Sequence, residues 1–206
     1  MSWMKHKFAS RGRPVPPAPQ ENALVMAISN GDRGWLQSLL AGGADANAAH
    51  RGTLPLPFAA RRGEFDIVDS LIAHGADIDA RNEKGLTALV DAAVSSNEQM
   101  LQGLLARGAK TDKTDYSGKT ALHYAAHTLQ FGMIESLVMA GADADATDHK
   151  DESPRDICEA AGRFALTALE SAEKRYAEEQ QKKTAALARS LSVMKPAAVR
   201  SRIAPR

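Results

Sequence analysis

Apolar residues along the 206-residue chain fall in short stripes at helical spacing rather than in the strict alternation of a half-buried strand. Trp35, Leu36, Leu39 and Leu40 form the first stripe; Ile67, Val68, Leu71 and Ile72 the second; Met100, Leu101, Leu104 and Leu105 the third; Met133, Ile134, Leu137 and Val138 the fourth. Each stripe predicts a short helix with one buried face. A glycine follows each (Gly43, Gly75, Gly108, Gly141), where the chain can take positive φ and end the helix. Beside these lie LPLPFAARRG (54–63), TALVDAAVSS (87–96), TALHYAAHTL (120–129) and SPRDICEAAG (153–162). Each predicts a second, shorter helix, with Thr87, Thr120 and Ser153 in the N-cap position. The pairs Ala59/Ala60, Ala92/Ala93 and Ala125/Ala126 supply small side chains where helices must approach closely, and polar linkers such as DARNEKG and ATDHKDE read as turns.

The pattern repeats. GGADANA (42–48), HGADIDA (74–80), RGAKTDK (107–113) and AGADADA (140–146) align on glycines separated by 32, 33 and 33 residues. Gly52, Gly85 and Gly118 keep the same 33-residue step, and Asp151 stands where the next glycine would fall. Two separate landmarks thus agree on one period, the signature of a stacked repeat array.

The period, both glycine landmarks and the helix stripes resemble the ankyrin repeat family, whose 33-residue unit opens T-P-L-H-x-A and closes G-A-D-x-N-A. The resemblance implies an all-α solenoid of about five helix-turn-helix units with short hairpin-like loops, plus a C-terminal helix. Its expected units are 20–51, 52–84, 85–117, 118–150 and a degenerate closing unit, 151–172, within a domain spanning 20–172. No unit keeps the whole opening motif: Pro57 replaces the histidine in unit two, Ala88 and Ala121 replace the proline in units three and four, and only unit four retains His123. Unit three is expected to be the loosest, with Asp91 read at the histidine position and Gly103 inside a helix at a cost of about 1 kcal/mol relative to alanine.

Beyond the repeats, residues 173–195 favour a helix, with Glu178/Lys182 and Glu179/Lys183 as i,i+4 pairs. Its second half carries Leu187, Leu191 and Met194 on one stripe, flanked by Lys183, Arg189 and Lys195, and Pro196 stops it. Segments 1–19 and 196–206 are expected to be disordered basic tails.

Composition sharpens this in two ways. The formal net charge of +1 is a cancellation: residues 1–19 carry +4, residues 182–206 carry +7, and 20–181 hold all 25 acids against 15 cations, a net of −10. No apolar run approaches the roughly 20 residues of a membrane span. The N-terminus lacks the apolar stretch of a secretory signal, and the single cysteine, Cys158, excludes an internal disulfide. These features predict a cytoplasmic setting. A short Arg-rich, acid-free N-terminus also bears a weak likeness to an organelle-transit segment.

No residue pattern suggests an enzyme or a cofactor. His123 and His127 are one helical turn apart, a spacing two metal ligands could use, but His123 occupies the family's structural histidine position. Asp143, Asp145 and Asp148 imitate a calcium loop without its glycine and terminal glutamate. Cys158 stands for a small core alanine and has no base partner in the sequence.

The resemblance implies a protein partner gripped on the concave face formed by hairpin tips and inner helices. By position the candidates are His50, Arg51, Arg61 and Arg62 in unit two; Glu83, Lys84, Val94 and Ser95 in unit three; Tyr116, Ser117, Lys119, His127 and Thr128 in unit four; and His149 and Lys150 in unit five. Tyr116 and the Arg61/Arg62 pair are the expected anchors, since aromatics and arginine dominate binding hot spots. The chain is expected to be monomeric or partner-bound, with no small-molecule substrate, its basic tails making weak contacts to acidic surfaces. The alternative is a tether whose basic ends bind an acidic membrane or nucleic acid, which the acidic middle and the absence of Trp or Phe in the C-terminal helix oppose.

Overall fold

The computed structural model describes residues 23–193. The expected tails, together with Met194 and Lys195 of the basic stripe, lie outside the described residues. Every regular element within them is helical: α1 (Ala23–Ser29), α2 (Arg33–Ala41), α3 (Pro55–Arg61), α4 (Phe65–Ala73), α5 (Ala88–Val94), α6 (Glu98–Ala106), α7 (Ala121–His127), α8 (Phe131–Met139), α9 (Pro154–Ala161) and α10 (Arg163–Val193). The chain is an all-α solenoid. Inner helices α1, α3, α5, α7 and α9 pack one on the next, and outer helices α2, α4, α6, α8 and α10 back them.

Local chemistry fixes the helix ends. Asp32 accepts the Trp35 N–H at 2.9 Å and Asn97 that of Met100 at 3.0 Å, starting α2 and α6. Thr87 caps α5 through Val90 N at 3.3 Å. Ser153 and Asp156 close a reciprocal capping box on α9. Unit two has no capping side chain, and there Pro55 opens α3, where a missing N–H costs nothing. At the far ends, Gly43, Gly75, Gly108 and Gly141 take φ between +86° and +90°, letting the N–H of Ala44, Ala76, Ala109 and Ala142 return to the carbonyl of Leu39, Leu71, Leu104 and Leu137.

All four apolar stripes face inward. Leu36, Ile67, Val68, Leu71, Leu101, Leu104, Met133, Ile134 and Leu137 are at most 1% exposed, each contributing roughly 1.5–3 kcal/mol. Trp35, Ile72 and Leu105 are partly buried at the edge of that core. The alanine pairs lie between successive inner helices.

One expectation about unit three is corrected, and another gains a packing context. The 33-residue step puts Val90, not Asp91, opposite His123, and Asp91 opposite Tyr124. Gly103 has a packing reason: a Cβ there would stand 2.9 Å from Phe65 Cε1 and 3.1 Å from Arg107 Nη1. Its bare backbone admits the α4 phenyl ring, and Arg107 crosses the same spot to reach the Gly103 carbonyl and Asp69. At the C-terminal end, α10 runs unbroken through residues 172 and 173, so the second helix of the closing unit and the C-terminal helix are one element. Ala165, Leu169 and Ala172 bury its first half, Tyr176 lies against Gly141, and residues 180–190 are exposed. Of the expected i,i+4 pairs, Glu179–Lys183 forms at 3.0 Å, and Leu187 is 61% exposed.

Candidate functional site

The turns between units are narrow fingers held by their own side chains. Asn82 Oδ1 accepts the N–H of Lys84 and Leu86, Asp115 Oδ1 those of Ser117 and Lys119, and Asp148 Oδ1 those of Lys150 and Glu152. These three residues are 33 apart, each an Asx turn replacing a pairing strand. The first finger has Ala49 at this position and closes through a His50–Thr53 backbone pair, with Arg51 at φ 47° and Gly52 at φ 70°.

Each finger seats a side chain on the glycine of the finger before it. A Cβ on Gly52 would overlap the Glu83 carboxylate at 1.6 Å, one on Gly85 would meet the Tyr116 ring at 2.7 Å, and one on Gly118 would meet His149 Cδ2 at 2.7 Å. His149 N also donates to Ser117 O at 2.9 Å. The glycines therefore serve both positive φ and close approach. At Asp151, with φ 59°, no further finger follows among the described residues and the close approach is not needed.

Regularity of this kind, repeated three times over, has a counterpart among known proteins. The description "Ankyrin repeats (3 copies)" matches residues 24–115 and 58–148, more than half of the chain. The chain belongs to the ankyrin repeat family. It is 40% identical over 76 residues to the 2-5A-dependent ribonuclease of Mus musculus, covering 36% of this chain and 10% of that protein. The Homo sapiens 2-5A-dependent ribonuclease is 35% identical over 79 residues, 37% of this chain and 11% of its own length. Alpha-latroinsectotoxin-Lt1a of Latrodectus tredecimguttatus is 43% identical over 76 residues, 36% of this chain and 5% of the toxin. The matched segments are thus about a tenth or less of each relative's length. Ankyrin repeats indicate a protein–protein interaction module, and no helix among the described residues is long and apolar enough to cross a membrane.

Within the ankyrin array, two groups of side chains join fingers to inner helices. The first is a cleft of about 110 Å³ between units two and three, lined by Phe58 and Arg61 of α3, Glu83 and Lys84 of the finger, and Asp91 of α5. Arg61 and Arg62 place their guanidiniums 5.8 and 5.9 Å from the Phe58 ring centroid. Burial pushes the Asp91 carboxyl up from the usual carboxylate range against the opposing pull of Arg61 and Lys84. The second group surrounds Lys119, whose Nζ lies 2.9 Å from His127 Nε2, 3.5 Å from Asp148 Oδ2 and 3.9 Å from Glu152. Burial would raise the Asp148 carboxyl, but the Lys150 and Glu152 N–H groups and the Lys119 ammonium outweigh it and hold it below the ordinary range.

His123 is fully buried and structural. Its Nδ1 accepts the Thr120 N–H at 3.1 Å, so Nε2–H donates to the Glu152 carbonyl at 3.1 Å. Both ring nitrogens are spent, and burial lowers its basicity. Beside it, Tyr124 donates to Asp115 at 2.6 Å, and burial together with that bond pushes its hydroxyl up to about 12. Cys158 is likewise buried, its thiol pushed up by desolvation.

The remaining candidates are distributed as follows. Ser95 and Thr128 turn their hydroxyls back to the carbonyls of Asp91 and Tyr124, closing their own helices. Val94 is 43% and Tyr116 65% exposed. Ser117, His149 and Lys150 lie in finger turns through their backbone. Position alone overlooked Phe58, Asp91, Glu152 and the 41%-exposed Leu129. Phe58, Asp91 and Tyr124 are one row at the 33-residue step, and that row was the signal available for two of them.

Proposed function

We propose that this ankyrin array is a non-enzymatic scaffold or adaptor that holds a protein partner on its concave face. The observation that carries this reading is the finger row: Glu83, Tyr116 and His149 are each fixed on a neighbouring glycine. Tyr116 keeps 65% of its surface in solvent, with Val94 and Leu129 left exposed at the ends of the inner helices. A rigid, exposed aromatic beside apolar side chains has little conformational freedom to lose on binding, which favours affinity. Candidate contacts are the residues derived from the sequence, His50 through Lys150, with Arg61, Arg62 and Tyr116 as anchors. The chain acts as a monomer or in its complex, in the cytoplasm, and requires no cofactor.

Comparative affinity capture tests this. Partners recovered with the native chain should be lost with Arg61→Glu/Tyr116→Ala and retained with Gln102→Ala/Ser136→Ala, which alters only an outer-helix contact. Identical recovery by all three proteins refutes the concave-face reading.

A further inference from the structure

Several cations of the array are paired within it. Arg33 pairs with Asp66 and Glu64, Arg107 with Asp69, Arg155 with Asp145 and Glu173, and Arg175 with Glu135. Arg61, Arg62 and Lys84 form no ion pair among the described residues. The two guanidiniums instead lie 5.8 and 5.9 Å from the Phe58 ring centroid, and Lys84 lines the same cleft as Arg61. The acids that could have neutralised them are placed otherwise. Glu83 lies across Gly52, and Asp91 is at the floor, 8% exposed, its carboxylate making no hydrogen bond among the described residues. Cations without an ion-pair partner thus line a cleft together with a carboxylate that no donor among the described residues engages.

We infer that the cleft between units two and three receives an acidic segment of the protein partner, whose Asp or Glu side chains pair with Arg61 and Arg62 while a backbone N–H of the segment reaches Asp91. This rests on the concave-face reading above and names the chemistry of what that face takes. Arginine forks match carboxylates in a bidentate way, and a peptide carries the anion and the N–H donor together. A long polyanion meets a different field, because residues 20–181 carry a net charge of −10.

The test is selection of a displayed library of random unphosphorylated peptides on the full chain. Enriched peptides should be rich in Asp and Glu, bind more weakly as salt rises, and lose about tenfold or more in affinity to Arg61→Glu/Arg62→Glu but not to the outer-face variant Arg33→Glu. Enriched peptides without acids that depend on Tyr116 and Val94 overturn the acidic segment and leave the concave face standing. Peptides indifferent to both sets of substitutions overturn both readings. Failure to enrich any peptide, or arginine-dependent binding confined to phosphorylated peptides or single-stranded RNA, overturns the carboxylate assignment.

Discussion

The seating of each finger on a glycine predicts a coupling that can be measured. Gly75 and Gly85 both have positive φ, 86° and 75°, yet a Cβ on Gly75 meets nothing within 4 Å while one on Gly85 meets the Tyr116 ring at 2.7 Å. Alanine at Gly75 should therefore cost backbone strain alone, about 1–2 kcal/mol. At Gly85 the same strain is joined by displacement of Tyr116, whose buried third of roughly 200 Å² is worth about 1.7 kcal/mol at 25 cal/mol/Å². Gly85→Ala is expected to cost about 3 kcal/mol, and Tyr116→Ala about 1.5 kcal/mol. Once the ring is gone, the added methyl has nothing to displace, so the double variant should cost only about 3 kcal/mol in total rather than the sum. Urea unfolding of the four proteins, followed by circular dichroism, gives the cycle. Additivity within about 0.5 kcal/mol would refute the claim that Tyr116 is seated on Gly85.

Other features make predictions of their own. Gly103→Ala should destabilise by about 1–3 kcal/mol through overpacking against Phe65, outweighing about 1 kcal/mol of helix propensity, and Phe65→Leu in the same chain should recover part of the loss in the urea midpoint. His123→Ala leaves the Thr120 N–H without its partner, removes one of the two donors to the Glu152 carbonyl, and opens a cavity, and should cost about 2–4 kcal/mol in the same assay. Because burial lowers His123 in the folded state, the unfolded chain binds the proton more readily below about 6.5. Stability should therefore fall as pH drops from 6.5 toward the lowered native value, and this slope should be missing in His123→Gln. Cys158 should react with a thiol reagent only through opening of the array, at least about 10³-fold slower than in urea-unfolded chain.

Much of this architecture is legible in the sequence because it is local. The stripe of Met100, Leu101 and Leu104, the Thr87 cap and the glycine at 108 act within one or two turns of chain, and the 33-residue beat states each of them several times. What escapes is contact between units. Gly103 reads as a weakness until Phe65, 38 residues earlier, is placed on it. Gly85 reads as a turn residue because nothing near it in sequence announces Tyr116 above it. Asp91 reads as the histidine position only one residue out of register, which hides its place in the row of Phe58 and Tyr124 and with it the cleft. The continuity of α10 could have been read, since no glycine or proline interrupts residues 163–193.

The one break in the glycine series concerns how long such an array can grow. A further unit added after the fifth would have to set a side chain on residue 151, where Asp151 already carries the Cβ that the other seats lack. Asp151 thus fills the seat that a sixth finger would use. Lengthening the array by grafting another unit would first require Asp151→Gly.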